Sequence, residues 1–292
     1  MFNWKKTLCA MLSLMIPLFG VGALAEQAAP QNTIGYAVEP ILPANQMPGY
    51  VSTFNIRVAP GGRQTIQVSI LNWADEDIEV AVETGTAFTN VNGVIEYGQN
   101  LDESLAVNFA DIVVPVKSVV TVPANGQAIA EFYLTIPEEP FRGSLFGGLS
   151  FTKLYQDGSG AESGGAMRIN NVFRYVINMR LHESDEEVMP AFELLYAVAD
   201  LTGRSPALVL GIRNPEPCLV RQASLRVSVY GQDGDVTVFT AEKDFDMAPN
   251  SSMSYSANLN DANALTVGAY RVSVEIEYKN RIWQLDAPLT GE

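Results

Sequence analysis

The residue best suited to catalysis in this sequence is its single histidine, His182, which begins a mostly acidic run over residues 183–187. A histidine beside carboxylates can act as a general base or help to bind a metal ion. The sequence has no second histidine to complete a pair of metal ligands, and no serine motif of the nucleophile type. We therefore interpret the segment as a solvated acidic turn after a strand that ends at Leu181.

Two other segments carry side chains that catalysis or metal binding can use. Asp75-Glu76-Asp77 lacks the alternating acidic positions and the glycine of a calcium loop, and it is typical of a hairpin tip. Cys218 is a lone thiol, which can be a nucleophile but is more commonly a small apolar filler. The sequence thus predicts no catalytic residue, no metal site and no cofactor, and we expect a protein that is not an enzyme.

Binding chemistry is indicated by a polar cluster around an Asn-Gly turn. Thr89, Asn90 and Asn92 bring hydroxyl and amide groups together, with Tyr97 close by. Polar amides beside an aromatic ring can bind a glycan or a peptide. The same side chains can equally hydrogen-bond the backbone of their own turn, as Asn and Thr commonly do. Both interpretations stay open, and these four are our candidate ligand-binding residues.

The elements that must position these residues are β-strands. Apolar residues alternate with polar ones in segment after segment, which is the pattern of a sheet with one face on a core. Turn signals such as Asn92-Gly93 and Asn125-Gly126 separate the segments. The clearest alternating sets are Ile66-Val68-Ile70, Ile78-Val80-Val82, Ala130-Phe132-Leu134, Ile177-Met179-Leu181, Leu208-Leu210-Ile212 and Val272-Val274-Ile276.

The fold class that these strands predict is all-β, with two immunoglobulin-like antiparallel β-sandwiches in tandem after a signal peptide. Four glycines have an expected structural role, which is to allow backbone bends or close strand approach rather than to touch a ligand. They are Gly93, Gly143, Gly147 and Gly148.

Composition sets limits on the function. The 292 residues contain 18 Lys+Arg and 33 Asp+Glu, for a formal net charge of −15. So acidic a surface repels phosphate backbones, and we expect no nucleic-acid partner. Since 47% of the residues are hydrophobic and only two are Cys, stability must come from core burial rather than from disulfides.

The N-terminus has the pattern of a secretory signal peptide over residues 1–25. Lys5 and Lys6 precede a short apolar run, and Ala23-Leu24-Ala25 supplies the small residues that a signal peptidase recognises. We expect cleavage after Ala25, and no later segment is apolar and long enough to be a transmembrane anchor in this chain. The predicted location is therefore extracellular.

Domain boundaries follow from composition. Residues 156–165 are rich in Gly and Ser and lack a large apolar side chain, which suits a linker. We predict a short linker over 26–33, a first sandwich over 34–160 and a second over 161–292. The two halves also match at an offset of 125 residues, because Pro123-Ala124-Asn125 and Gly143 correspond to Ala248-Pro249-Asn250 and Gly268.

Several phrases, in order and spacing, resemble the WxL-interacting protein family of Gram-positive cell surfaces. The resemblance covers roughly residues 34–286. The phrases are Asn45-Gln46, residues 53–61 with Pro60-Gly61, residues 87–97 with Thr89-Asn90-Val91-Asn92-Gly93, residues 141–149 with Gly147-Gly148, residues 175–181, 208–214 and 247–251, Gly268-Ala269-Tyr270, and Trp283.

The resemblance implies a non-enzymatic surface protein. Its first domain would bind peptidoglycan, its second would bind host extracellular proteins, and the whole would associate with WxL-domain surface proteins. Two departures stand out: Thr53 occupies a position where the family commonly has Tyr, and the chain stops at Glu292 where members usually continue into a transmembrane helix.

Two alternatives come from other classes of protein. A pilus-type assembly chaperone also has two immunoglobulin-like domains, but it normally uses a basic cleft, which this charge balance disfavours. A secreted glycan-active enzyme would need two carboxylates projecting into one cleft, and the sequence does not identify such a pair.

Overall fold

The computed structural model describes residues 35–155, 172–202, 205–231, 236–259, 265 and 268–291. The predicted signal peptide over 1–25, the linker over 26–33 and the Gly/Ser-rich segment over 156–165 lie outside the described residues. Residues 34–292 form one compact unit, and we describe its two sandwiches in turn.

The described chain is built almost entirely from strands, as the alternation predicts. In chain order the elements are β1 (Tyr36–Ile41), β2 (Phe54–Arg57), β3 (Arg63–Asn72), β4 (Ile78–Thr89), β5 (Ile95–Gly98), α1 (Phe109–Ile112), β6 (Val113–Pro115), β7 (Val119–Val122), β8 (Gln127–Thr135), β9 (Leu145–Leu154), β10 (Arg174–His182), β11 (Glu193–Thr202), β12 (Ser205–Asn214), β13 (Val220–Tyr230), β14 (Thr237–Met247), β15 (Ser251–Asn258), β16 (Gly268–Tyr278) and β17 (Arg281–Gly291).

The first sandwich packs two sheets face to face. One sheet has the strand order β1-β3-β8-β6, and the other has the order β2-β10-β9-β4-β5, with β7 pairing with β4. Taken as strands A, B, E and D of an immunoglobulin domain, β1, β3, β8 and β6 are in the ABED order, and β4, β9 and β10 are in the CFG order. Its core is apolar, and alternating side chains such as Val68, Ile70 and Phe132 are completely buried.

The second sandwich repeats the same arrangement. Its sheets have the orders β11-β12-β15 and β14-β13-β16-β17, which correspond to ABE and to a CFG sheet with one additional edge strand. Its separate core includes Leu208, Leu210, Val227 and Val274, all without exposed area. The predicted fold class, two immunoglobulin-like β-sandwiches in tandem, is confirmed by these strand orders.

The internal repeat corresponds to equivalent strands of the two sandwiches. Asn125 and Asn250 both have positive φ angles, 48° and 47°. Each comes shortly before the E strand of its sandwich, β8 or β15, and asparagine tolerates this left-handed conformation better than most residues. Gly143 and Gly268 stand at the entries to the two F strands, β9 and β16.

The strand β10 joins a different sandwich from the one that a boundary at residue 160 implies. It pairs antiparallel with β9 and parallel with β2, so it is the G strand of the first sandwich. Its inward side chains Ile177, Met179 and Leu181 belong to the first core. The strands of the two sandwiches therefore divide between His182 and Glu193, and not at residue 160. The sequence does not show this division, because alternation reveals a strand but not the sheet with which it pairs.

His182 is also placed differently from the sequence interpretation. It ends β10 and is buried, with 7% of its area exposed, and its Nδ1 lies 3.1 Å from the carbonyl oxygen of Ser184. The solvated part of the acidic run begins only at Ser184. The imidazole is therefore largely shielded from solvent.

Candidate functional site

The candidate ligand-binding residues lie in and beside the hairpin that joins β4 to β5. Asn90 organises this turn, since its Oδ1 accepts hydrogen bonds from the backbone N–H groups of Asn92 (2.9 Å) and Val94 (3.1 Å). Its Nδ2 donates to Glu96 Oε1 at 2.6 Å. The Asn90 amide therefore satisfies its own hairpin, while the Asn92 side chain is exposed to solvent.

Thr89 connects the first sandwich to the second. Its hydroxyl is buried, lies 2.6 Å from the Ser251 hydroxyl and accepts a hydrogen bond from the Ala248 N–H at 3.0 Å. Next to it, the Gly93 carbonyl accepts from the Asp246 N–H at 2.8 Å. A Cβ at Gly93 would lie 2.5 Å from Phe245 Cβ, so the turn rests directly on the second sandwich.

Tyr97 packs its ring into a small apolar cluster shared by the two sandwiches. The ring centroid is 5.9 Å from that of Phe146, and the cluster also contains Ala248 and Leu219. Burial raises the pKa of the Tyr97 phenol to about 12, which keeps it neutral at physiological pH. On its other side, a Cβ at Gly148 would lie only 2.6 Å from the ring.

The remaining two glycines are also sites of close approach. A Cβ at Gly147 would lie 2.1 Å from Cδ1 of Phe109, the first residue of α1. Gly143 has a φ of 71°, and a Cβ there would lie 2.2 Å from the carbonyl oxygen of Pro217 in the second sandwich. The adjacent Ser144 N–H donates to that same carbonyl at 2.8 Å.

A buried polar contact, which the sequence did not predict, completes the junction. The Asp102 side chain, 8% exposed, is hydrogen-bonded by Ser252 and lies 3.4 Å from Nε of Arg213. Burial alone would raise the pKa of Asp102, but hydrogen bonds from Ser252 and Ser104 and the charge of Arg213 hold it below its usual value. No local pattern around Asp102 signals this role, because its partners in the second sandwich, Arg213 and Ser252, are more than 100 residues away in the chain.

A groove of about 440 Å³ lies beside this junction. The first sandwich lines it with residues 88–91, Glu96 and residues 100–102, and the second lines it with residues 251–254. The lining mixes amide, hydroxyl and carboxylate groups with the apolar side chains of Val91 and Leu101. Such a surface offers both donors and acceptors, which is the chemistry that a neutral polar ligand requires.

The two side chains that the sequence offered for catalysis, His182 and Cys218, do not line the groove. Cys218 is buried, and burial raises the pKa of its thiol, which opposes nucleophilic reactivity. In the part of the chain that the structure describes, no three His, Cys, Asp or Glu residues are arranged to hold a metal ion. Among the same residues, no helix combines the length and the apolar side chains that a membrane span requires.

Two family models match this sequence and together cover most of it. Residues 36–153 match the model described as WxL Interacting Protein, peptidoglycan binding domain, and residues 165–290 match the model described as WxL Interacting Protein, host binding domain. The chain belongs to the WxL-interacting protein family. Membership confirms the resemblance inferred from the ordered phrases, and it supports a binding role at the cell surface.

Other comparisons add only a general likeness. A search of curated proteins gives no match. A chain from a structure titled as a chaperone–tip adhesin complex of CFA/I fimbriae biogenesis has 10% identity and a TM-score of 0.37, with 85% of this chain and 97% of that chain covered. The YadV chaperone has 11% identity and a TM-score of 0.37, with 87% and 100% covered. TM-scores this low carry no argument about function.

The family match also shows how the two domains interlock. The match to the host-binding domain begins at residue 165, and so it includes β10. That strand nevertheless completes a sheet of the sandwich matched by the peptidoglycan-binding domain. In this WxL-interacting protein the first sandwich therefore contains a strand from the second matched segment.

Proposed function

We propose that this WxL-interacting protein is a non-catalytic component of the cell surface that binds peptidoglycan through its first sandwich. The single observation that carries the proposal is the match of residues 36–153 to a peptidoglycan-binding domain. The proposal extends to export by the predicted signal peptide and to retention at the wall through binding. It further includes association with WxL-domain surface proteins and adhesion to host extracellular proteins, which the two family descriptions support.

Within this proposal, the groove beside the junction is where a glycan strand binds. A sugar presents hydroxyls that both donate and accept hydrogen bonds, and the groove offers both through Asn100 and Ser254. Leu101 supplies apolar contact for a sugar ring. Glu96 and Asp102 repel anionic ligands, which favours the neutral sugar backbone over its charged substituents.

The four candidate residues then divide into two roles. Asn90 lines the groove and fixes the hairpin beside it, while Asn92 is exposed at the tip of the same hairpin. Thr89 and Tyr97 hold the wall of the groove, because their polar and apolar contacts join the hairpin to the second sandwich. The groove geometry therefore depends on the docking of the two sandwiches.

The groove assignment predicts a position-specific loss of wall binding. Asn100→Arg, at an exposed position of the lining, places a long cationic side chain in the groove and should lower co-sedimentation with purified peptidoglycan several-fold. Gln99→Arg is the matched control, since Gln99 is also exposed but does not line the groove. Equal sedimentation of both variants and the unsubstituted chain would show that the glycan binds elsewhere.

The chaperone alternative has weaker support than the wall-binding proposal. It depends on the two immunoglobulin-like domains alone, whereas the family models cover both halves of the chain. We therefore propose the binding function alone.

A further inference from the structure

A second pocket, of about 320 Å³, opens in the first sandwich and is separate from the groove. It is formed where β2 ends, where β3 begins and where β8 ends. All nine of its lining residues fall between positions 45 and 136, inside the segment matched by the peptidoglycan-binding domain. Its volume is at the lower end of the range for small-molecule sites, the size of a short peptide end.

The pocket contains a buried amide donor that lacks a partner. Asn45 Nδ2 donates to the Arg57 carbonyl at 2.8 Å and to Gln64 Oε1 at 3.0 Å, which fixes the orientation of the Gln64 amide. Gln64 Nε2 is consequently turned away from Asn45, and it is buried without a hydrogen-bond partner. A buried, unsatisfied donor costs free energy unless a ligand or water completes it, so this one points to an acceptor in the pocket.

The pocket is lined by positive charge, although the chain as a whole is negative. Arg57 and Arg63 both line it, and none of the nine lining residues is acidic. Arg57 is engaged by Asp185 and by the Glu183 carbonyl. Arg63 is exposed and has no ion pair within the described residues. A guanidinium that is free to form two parallel hydrogen bonds is the preferred partner of a carboxylate.

The floor of the pocket is apolar. Leu134, Ile136 and Val58 are buried, with 1%, 3% and 9% of their areas exposed. A ligand with a carboxylate, an adjacent amide oxygen and a methyl group would place these on Arg63, Gln64 Nε2 and the apolar floor respectively. An acylated alanine with a free carboxyl group has all three of these groups.

We propose that this pocket binds the terminal D-alanyl carboxylate of a peptidoglycan stem peptide. The choice of the wall peptide over another carboxylate rests on the proposed function, since the lining residues belong to the peptidoglycan-binding segment. The pocket then recognises the charged peptide of the wall, while the groove takes its neutral glycan. The pocket offers hydrogen-bond donors for an anion, and the groove offers both donors and acceptors for a sugar.

The test is isothermal titration of the full chain with N-acetyl-D-alanyl-D-alanine, with its C-terminal amide and with the L,L isomer. The D,D acid should bind more tightly than both others. Arg63→Gln should weaken its binding about tenfold, the loss expected for one charge-assisted contact. Gln64→Leu, which removes the buried donor, should weaken it as well. Arg281→Gln is the control, because it removes the same charge from an exposed arginine of the second sandwich.

Each other result overturns the inference. Equal binding of acid and amide would exclude carboxylate recognition, and tighter binding of the L,L isomer would indicate a protein C-terminus in place of the wall. Binding that is absent at millimolar concentration, or unchanged by Arg63→Gln, would exclude the pocket. Sedimentation of the unsubstituted chain with peptidoglycan is measured in parallel, so that failure of this pocket is distinguished from failure of wall binding itself.

Discussion

Gly147→Ala is expected to destabilise the first sandwich by about 3 kcal/mol, the upper part of the range for overpacking a core. The added Cβ would lie 2.1 Å from the Phe109 ring. Phe109 is 1% exposed and begins α1, so its ring cannot turn out into solvent. Gly147 itself is paired on both sides, with Met179 of β10 and Thr86 of β4, and so the backbone cannot yield either.

The midpoint of chemical denaturation, followed by circular dichroism, measures this effect. Gly231→Ala is the matched control, because the nearest atom to a Cβ there is 3.8 Å away and the change should be close to neutral. A Gly147→Ala protein as stable as the control would mean that β9 and α1 are not in contact as described.

Gly143→Ala is expected to weaken the docking of the two sandwiches while leaving each of them folded. An alanine at a φ of 71° is strained, and its Cβ would lie 2.2 Å from the Pro217 carbonyl oxygen. Relief of that overlap requires the chain around Ser144 to move away from the second sandwich. We expect a loss of about 2 kcal/mol from the docking free energy.

Hydrogen exchange reports this change locally. The Ala248 N–H donates to the buried Thr89 hydroxyl across the junction, so its protection should fall about tenfold or more when docking weakens. Amides within β3 should keep their protection. Glu139→Gln is the control in the same loop, since Glu139 is exposed and a change of its charge should alter stability little. Unchanged exchange at Ala248 in Gly143→Ala would contradict the described junction.

Local sequence patterns are sufficient for the fold class. The alternation in segments such as Ile66-Val68-Ile70 identifies strands and their buried faces, because a side-chain period of two is a property of the strand itself. The Asn125 and Asn250 turns were recognisable for the same reason, as each conformation is determined by a few adjacent residues. Both features need no knowledge of distant partners.

The site required contacts that no local pattern contains. Thr89 bonds to Ala248 and Ser251, about 160 residues further along the chain, so its polar side chain could not be assigned to a junction from sequence. The same limit applies to β10, whose alternation shows a buried face without showing which core receives it. Gln64 is an ordinary half-buried position of an alternating strand, and only the arrangement of Asn45 beside it reveals the free donor.

The most direct test of wall binding by this WxL-interacting protein is sedimentation of the purified full chain with insoluble peptidoglycan, with chitin as a control polymer. We predict that the chain enters the pellet with peptidoglycan, stays in the supernatant with chitin, and is released by soluble peptidoglycan fragments that carry the stem peptide. A folded chain that remains in the supernatant with peptidoglycan, or that sediments equally with both polymers, would contradict the proposed function.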